Sequence, residues 1–294
     1  MEQTKIVTIQ SGEYKVSVNR QGGCLDSIKK NDYEYLWQGA EESWKGKDVA
    51  IFPFIARLKD GIYTVDGKEY SMKNHGLIRY ACLDVEDKKD NEVTLSYSSN
   101  EETLAQYPYN FTFKSNYVLN GGNLKVTYTI KNTDNKDLYF GIGGHPAFQI
   151  PFERVNDVDV IDGNYIEFEN EFTPNNYYLD ENGSFIVRKG AFEKVKRIDL
   201  KKEIFQKYKT LMFCDADMDK VTLHKKDGKD VVMHLNHPKT VAIWTKEKFG
   251  GYICIEPWNG IPDISNPNRE LSQKDGINKL ASNEVYTFSY TIDI

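Results

Sequence analysis

Apolar residues recur at every second position along much of this chain. Over residues 123–131 (N-L-K-V-T-Y-T-I-K) the alternation puts Leu124, Val126, Tyr128 and Ile130 on one face. Over residues 284–294 it sets Tyr286, Phe288, Tyr290 and Ile292 against Val285, Thr287, Ser289 and Thr291. Residues 92–97, 111–119 and 240–245 keep the same period and are rich in Val, Ile, Thr, Tyr and Phe. Such residues suit a pleated, half-buried surface, so each stretch predicts a β-strand. Asp66-Gly67, Asn120-Gly-Gly122, Asn182-Gly183 and Asp227-Gly228 separate them, and these pairs tolerate the positive φ that hairpin turns require. Helical patterns are short. One runs over 100–107 with Asn100 as its cap and Pro108 as its stop, and another over 198–208. No repeat, low-complexity tract or Pro/Gly/Ser-rich linker divides the chain. The pattern predicts one all-β domain over residues 1–294, built from packed antiparallel sheets.

Composition narrows the partners. The 294 residues are 39% hydrophobic and 13% aromatic, enough apolar material for a sizeable core and too much for global disorder. Lys and Arg number 38 against 44 Asp and Glu, a net charge of −6 that argues against nucleic-acid binding through phosphate contacts. No apolar run approaches the roughly 18–20 residues of a membrane-spanning helix. The start, M-E-Q-T-K-I-V-T, lacks the apolar centre of a signal peptide. Cys24, Cys82, Cys214 and Cys254 are widely spaced without a C-x-x-C pair, which reads as reduced, buried thiols in a cytoplasmic protein.

The chemistry lies where polar groups interrupt apolar strands. In residues 138–150 (L-Y-F-G-I-G-G-H-P-A-F-Q-I), Tyr139, Gly141, Gly143 and His145 fall on one face. The glycines predict a hollow beside the imidazole where a ligand reaches the backbone, and Pro146 ends the strand or marks an edge. In residues 251–263 (G-Y-I-C-I-E-P-W-N-G-I-P-D), Ile253 and Ile255 point one way while Tyr252, Cys254 and Glu256 point the other. A carboxylate ending an apolar strand is costly to bury unless it is paired or faces a cleft. Burial also raises its pKa, as suits a general base near neutrality. A structural ion pair with Arg or Lys is the competing reading. Two further clusters, Phe52-Pro-Phe-Ile-Ala-Arg57 and Lys73-Asn-His-Gly-Leu-Ile-Arg79, are weak singly. His234-x-x-His237 has no zinc-motif partner, so no metal is expected there. P-loop, G-x-S-x-G and dinucleotide-binding signatures are missing.

In chain order these segments resemble the aldose 1-epimerase (galactose mutarotase-like) family, and within it the LacX-like branch. The resemblance rests on Glu34-Tyr-Leu-Trp-Gln-Gly39 with Trp44 downstream, the Phe52–Arg57 block leading to Asp60-Gly61-x-Tyr63, and Asn74-His-Gly-Leu-Ile-Arg79. It continues through Gly143-Gly-His-Pro-Ala-Phe148, Cys254-Ile-Glu-Pro-Trp258 with Gly260-Ile-Pro-Asp263, and Asp275-Gly-Ile-Asn278. It implies a β-supersandwich of stacked antiparallel sheets with an open carbohydrate-binding cleft, and an isomerase that interconverts the anomers of an aldose without metal or organic cofactor. By position it implies Glu256 as general base and a protonated His145 as general acid on opposite sides of the sugar, with Arg57 and His75 on its hydroxyls and ring oxygen. Arg79 joins them as a candidate substrate contact, and Asp215 stands nearest the family's sugar-binding aspartate. The chain departs from the family at Tyr80, where an acid commonly follows the Arg, and at Asn259. The expected partner is a small-molecule sugar, with no nucleic acid or membrane, for a monomer or homodimer. A hexose 6-phosphate gripped by Arg79 with Lys59 or Lys73 is the alternative substrate, and a non-catalytic carbohydrate-binding protein the alternative function.

Overall fold

A computed structural model of the chain describes residues 5–215, 218–248 and 250–294. The first four residues of the segment read for a leader, and positions 216–217 beside Asp215, lie outside these. Among the described residues no helix is long and apolar enough to cross a membrane.

Nearly all regular structure is antiparallel strand. The largest sheet has nine strands in the order Val195–Asp199, Tyr165–Phe172, Lys220–His224, Val231–His234, Val285–Asp293, Asn123–Asn132, Phe111–Asn120, Glu92–Ser98 and Asp84–Lys88. The alternation read from sequence sets its burial. Leu124, Val126, Tyr128 and Ile130 are fully buried, as are their hairpin partners Phe111, Phe113, Tyr117 and Leu119. A four-stranded sheet occupies the N-terminal segment, from Ile6–Ser11 to Tyr33–Glu34.

The second large sheet carries the chemistry. Its central strand, Tyr252–Asn259, pairs on one side with Thr240–Trp244 and on the other with two short strands, Ile142–Gly143 and Ala147–Gln149. Leu211–Cys214, Asn175–Leu179 and Ile186–Ala191 complete it. The ring of Phe52 packs between strands, its centroid 5.0 Å from Phe111 of the nine-stranded sheet and 5.9 Å from Phe140 of the short strand Leu138–Phe140, which pairs with Asn278–Leu280. One continuous hydrophobic cluster runs through the contact.

The short helix Glu101–Gln106 starts at Asn100, whose side chain accepts from Thr103 N at 3.0 Å while Asn100 N donates to Thr103 Oγ1 at 2.8 Å. Asp66 and Gly67 both take positive φ in their hairpin, as the turn pair predicts. Four expectations change. The pattern over 198–208 divides between the strand Val195–Asp199 and the helix Lys202–Tyr208. Residues 138–150 form three short strands, not one. Their glycines open no hollow: a Cβ on Gly143 would sit 2.4 Å from Trp258 Cδ1, and one on Gly141 3.1 Å from Ile55 Cγ1. Close approach of neighbouring protein, not of a ligand, is what these glycines permit. Among the cysteines, all free, Cys82 is exposed, against the expectation that every thiol is buried.

Candidate active site

His145 sits between the two short strands that flank Tyr252–Asn259. Gly143 pairs with Trp258 and Ala147 with Cys254, so the register between them sets His145 across from Glu256. Gly144 N donates to Pro257 O at 3.1 Å and holds the intervening turn against the central strand. The result is a cross-strand pair, with His145 Nε2 3.1 Å from Glu256 Oε2. Those two atoms touch without hydrogen-bond alignment, and both His145 Nδ1 and Glu256 Oε2 are buried without a hydrogen-bond partner. On the far side of the strand Glu256 faces Ala242, whose small side chain leaves room above the sheet.

The pair lines a cavity of about 400 Å³ whose wall also includes Trp44, Arg57, Asn74, His75, Arg79, Ser184, Trp244 and Trp258. The resemblance named five residues that the fold gathers here from opposite ends of the sequence: Arg57, His75, Arg79, His145 and Glu256. Asp215 is not among the lining residues. Its side chain is half exposed, ion-paired with Lys189, and accepts from Asn175 Nδ2 at 3.2 Å. Lys59 and Lys73 are not in the wall either; they lie over the rings of Phe185 and Tyr80. Neither Arg57 nor Arg79 forms an ion pair with a described carboxylate. Glu256 therefore meets an imidazole where an Arg or Lys was the competing expectation. His234 and His237 lie on the surface near Asp293 and Asp219.

Rings and backbone orient the imidazoles. Trp44 lies against His145 at 4.9 Å between centroids, and His75 meets it edge-on at 5.4 Å. Ala56 N donates to His75 Nδ1 at 3.2 Å, leaving Nε2 to carry the proton of the neutral ring. His75 has φ of 63°, and the following Gly76 fits only without a side chain, because a Cβ would lie 2.3 Å from Phe52 O.

Burial governs the protonation of the pair. It pushes the His145 imidazole down to about 3. It pushes the Glu256 carboxyl well above the usual carboxylate range, with the charge of Asp48 adding to the effect. His75 is held well below the ordinary imidazole value, first by burial and then by His145 and the two arginines. Burial thus favours the uncharged form of both groups, a protonated Glu256 and a neutral His145.

Asp48 is a contributor that the sequence reading passed over. It is 5% exposed, and its carboxylate accepts backbone N–H groups from Leu25 at 2.9 Å, Val49 at 2.8 Å and His145 at 3.2 Å. It therefore fixes the His145 backbone to the N-terminal sheet. Burial pushes it up to about 6 despite those three donors. The available signal was an acid opening the apolar run 49–55. Ser184 and Trp244 in the cavity wall carry no pattern in sequence that marks them, while Asn74 stands in the Asn74–Arg79 block without having been singled out. Among the described residues, those grouped closely enough to hold a metal ion are His145, Cys254 and Glu256.

Fold and site together define a galactose mutarotase-like protein. A galactose mutarotase related enzyme from Lactobacillus acidophilus superposes with a TM-score of 0.90 at 28% identity, covering 98% of this chain and 96% of that one. A galactose mutarotase-like protein from Lactobacillus casei shares the fold at a TM-score of 0.89 and 24% identity, covering 98% and 99%. The family model for aldose 1-epimerase matches residues 5–292, and the chain belongs to that family. Among curated relatives, the chromosomal protein LacX of Lactococcus lactis is 27% identical over 93% of this chain and 94% of its own length.

Proposed function

We propose that this protein is an aldose 1-epimerase that interconverts the α and β anomers of a hexose by acid–base ring opening and reclosure. The observation that carries the reading is the buried His145–Glu256 pair, 3.1 Å apart in the wall of a sugar-sized cavity. Mutarotation moves one proton off the anomeric hydroxyl and one onto the ring oxygen. Both oxygens are bonded to the same carbon, so an acid and a base that stand side by side can reach them together. The 3.1 Å approach of His145 to Glu256 supports that reading.

The proton count closes. With Glu256 ionised and His145 protonated, Glu256 takes the hydroxyl proton while His145 protonates the ring oxygen, and the C1–ring-oxygen bond breaks to give the open aldehyde. The pair is left as neutral acid and neutral imidazole, which is the resting state. After rotation about C1–C2, the ring hydroxyl attacks the other face of the carbonyl and both transfers reverse. At the start of the cycle the Glu256 proton passes to His145 Nε2, 3.1 Å away, and sugar hydroxyls donating to the carboxylate favour that ionised form. Each partner contributes on the order of 10²–10⁴ in rate. The direct test is anomer exchange followed by NMR on a panel of free and phosphorylated aldoses; a protein inert towards all of them would end the reading.

Asp48 acts on this pair as a positioning residue. Its negative charge raises the Glu256 pKa, and exchange is lost as pH rises through that value because the pair loses its proton. Asp48→Asn is expected to move the alkaline limb of the pH–rate profile to lower pH. The two profiles should converge below about pH 6, where the native Asp48 is itself protonated. The amide cannot accept from all three N–H groups, so a loss of about 1–3 kcal/mol in stability should accompany the shift. An unmoved alkaline limb in a folded variant would remove Asp48 from the account.

A second reading, of an anionic sugar as substrate, is favoured by Arg57 and Arg79 sharing the cavity without a described acid partner. Two guanidinium groups are what a phosphate of nearly two charges calls for. For a hexose 6-phosphate the Michaelis constant is expected to rise with ionic strength, and Arg79→Ala should raise it about 10-fold or more. A free hexose should show neither effect. A phosphorylated substrate indifferent to both salt and Arg79 would discard this second reading.

A further inference from the structure

We propose that His145, Cys254 and Glu256 form a binding site for a thiophilic divalent cation such as Zn²⁺, and that filling it switches anomer exchange off. One ligand atom from each of the three residues lies within 4.8 Å of the other two. The sheet builds the cluster. Cys254 and Glu256 are two residues apart on one strand and share a face, and the neighbouring register adds His145 across from Glu256. All three are buried, at 0%, 2% and 7% exposure for Cys254, Glu256 and His145. Buried polar atoms are usually satisfied, yet His145 Nδ1 and Glu256 Oε2 have no hydrogen-bond partner.

The donor set selects the ion. A thiolate, an imidazole and a carboxylate are the protein ligands of catalytic-type zinc sites, with bonds of about 2.0–2.3 Å and a fourth position left open. Tetrahedral bonds of that length separate the donors by about 3.3–3.8 Å, so drawing these three together takes side-chain movements of about an ångström. The open position belongs to the cavity, because His145 and Glu256 both line it. Charge assists: the field of Asp48 reaches both Cys254 and Glu256. Arg79, whose charge reaches His145, opposes it, and two ligand anions outweigh that single guanidinium. On binding, Cys254 gives up its thiol proton and Glu256 its carboxyl proton to solvent, and the sulfur, nitrogen and oxygen lone pairs form the three bonds to the metal.

Metal capture stands on this geometry alone. That capture silences the protein rests on the reading of His145 and Glu256 as the acid–base pair, since a coordinated lone pair can neither take nor hand on a proton.

The experiment uses the full chain stripped with a chelator. Zn²⁺ is titrated in, bound metal per chain is measured after gel filtration, and Co²⁺ is substituted to look for a thiolate-to-cobalt charge-transfer band. One metal per chain, the charge-transfer band, and exchange that falls in proportion to occupancy and returns with chelator are expected. Cys254→Ser should weaken Zn²⁺ binding at least about 10-fold and abolish the band, with its exchange read against its own metal-free rate. Cys82→Ser and a His234→Ala/His237→Ala double variant should leave both readouts unchanged. Metal retained by Cys254→Ser, or lost with Cys82 or the surface histidines, would overturn the site. Stoichiometric binding with undiminished exchange would overturn its inhibitory role. A stripped protein that binds metal through Cys254 but exchanges no anomers refutes the proposed function and leaves capture intact.

Discussion

Glu256→Gln is expected to lower anomer exchange by about 10²–10⁴ while leaving the fold in place. Glutamine keeps the shape of the side chain but neither takes nor gives a proton. The stability consequence has a definite sign. Burial raises the Glu256 pKa above its unfolded value, so the stability linked to its protonation is fully present below the unfolded value. It is lost as pH rises through the folded one. The amide carries no such penalty, so the variant should match the native protein near pH 4 and exceed its melting temperature at alkaline pH. Exchange by NMR and melts by circular dichroism across pH check both halves. A folded variant that exchanges anomers within a few-fold of the native rate would strip Glu256 of its role.

Lys274→Met is expected to cost about 3–5 kcal/mol, the largest stability loss among the substitutions considered. Lys274 Nζ lies 2.6 Å from Asp263 Oδ1, with side chains only 5% and 7% exposed. Lysine removal leaves the Asp263 carboxylate buried without its counter-charge. The damage should reach the site, because Asp263 Oδ2 also accepts Lys59 N at 2.8 Å and so anchors the turn that follows Arg57. Asp263 O accepts Ile186 N at 3.0 Å as well, fastening the edge of the sheet that carries Glu256. Denaturant midpoints measure the loss, and Lys274→Met/Asp263→Leu should recover much of it because no charge is then left unpaired. A single variant as stable as the native chain would show that the carboxylate finds water or another cation.

The Gly260-Ile-Pro-Asp263 and Asp275-Gly-Ile-Asn278 blocks thus take on a physical meaning that their sequence did not display. Asp263 and Lys274 form a buried clamp, and Asn278 donates to Phe140 O at 2.8 Å and Asn259 O at 2.7 Å. Both blocks hold segments that lead to the site without lining the cavity themselves.

By itself the sequence determined the strands, because a side chain's face is set by a period of two that needs no tertiary knowledge. The buried row Leu124, Val126, Tyr128 and Ile130 was readable from alternation alone, as was the shared face of Cys254 and Glu256. Hairpin partners joined by short turns were equally local. Family resemblance supplied Arg57, His75, Arg79, His145 and Glu256 as candidates. Their convergence belonged to the tertiary structure, since it depends on pairing between segments more than 100 residues apart. Only that pairing set His145 beside Glu256, and only their shared burial favours the uncharged form of each. It also turned the glycines of residues 138–150 from an expected hollow into a packing contact. It set Asp215 against Lys189 outside the cavity and drew Asp48 beneath His145. Registers between distant strands, and the desolvation that follows from them, are properties of the whole assembled sheet; no local stretch of sequence encodes them.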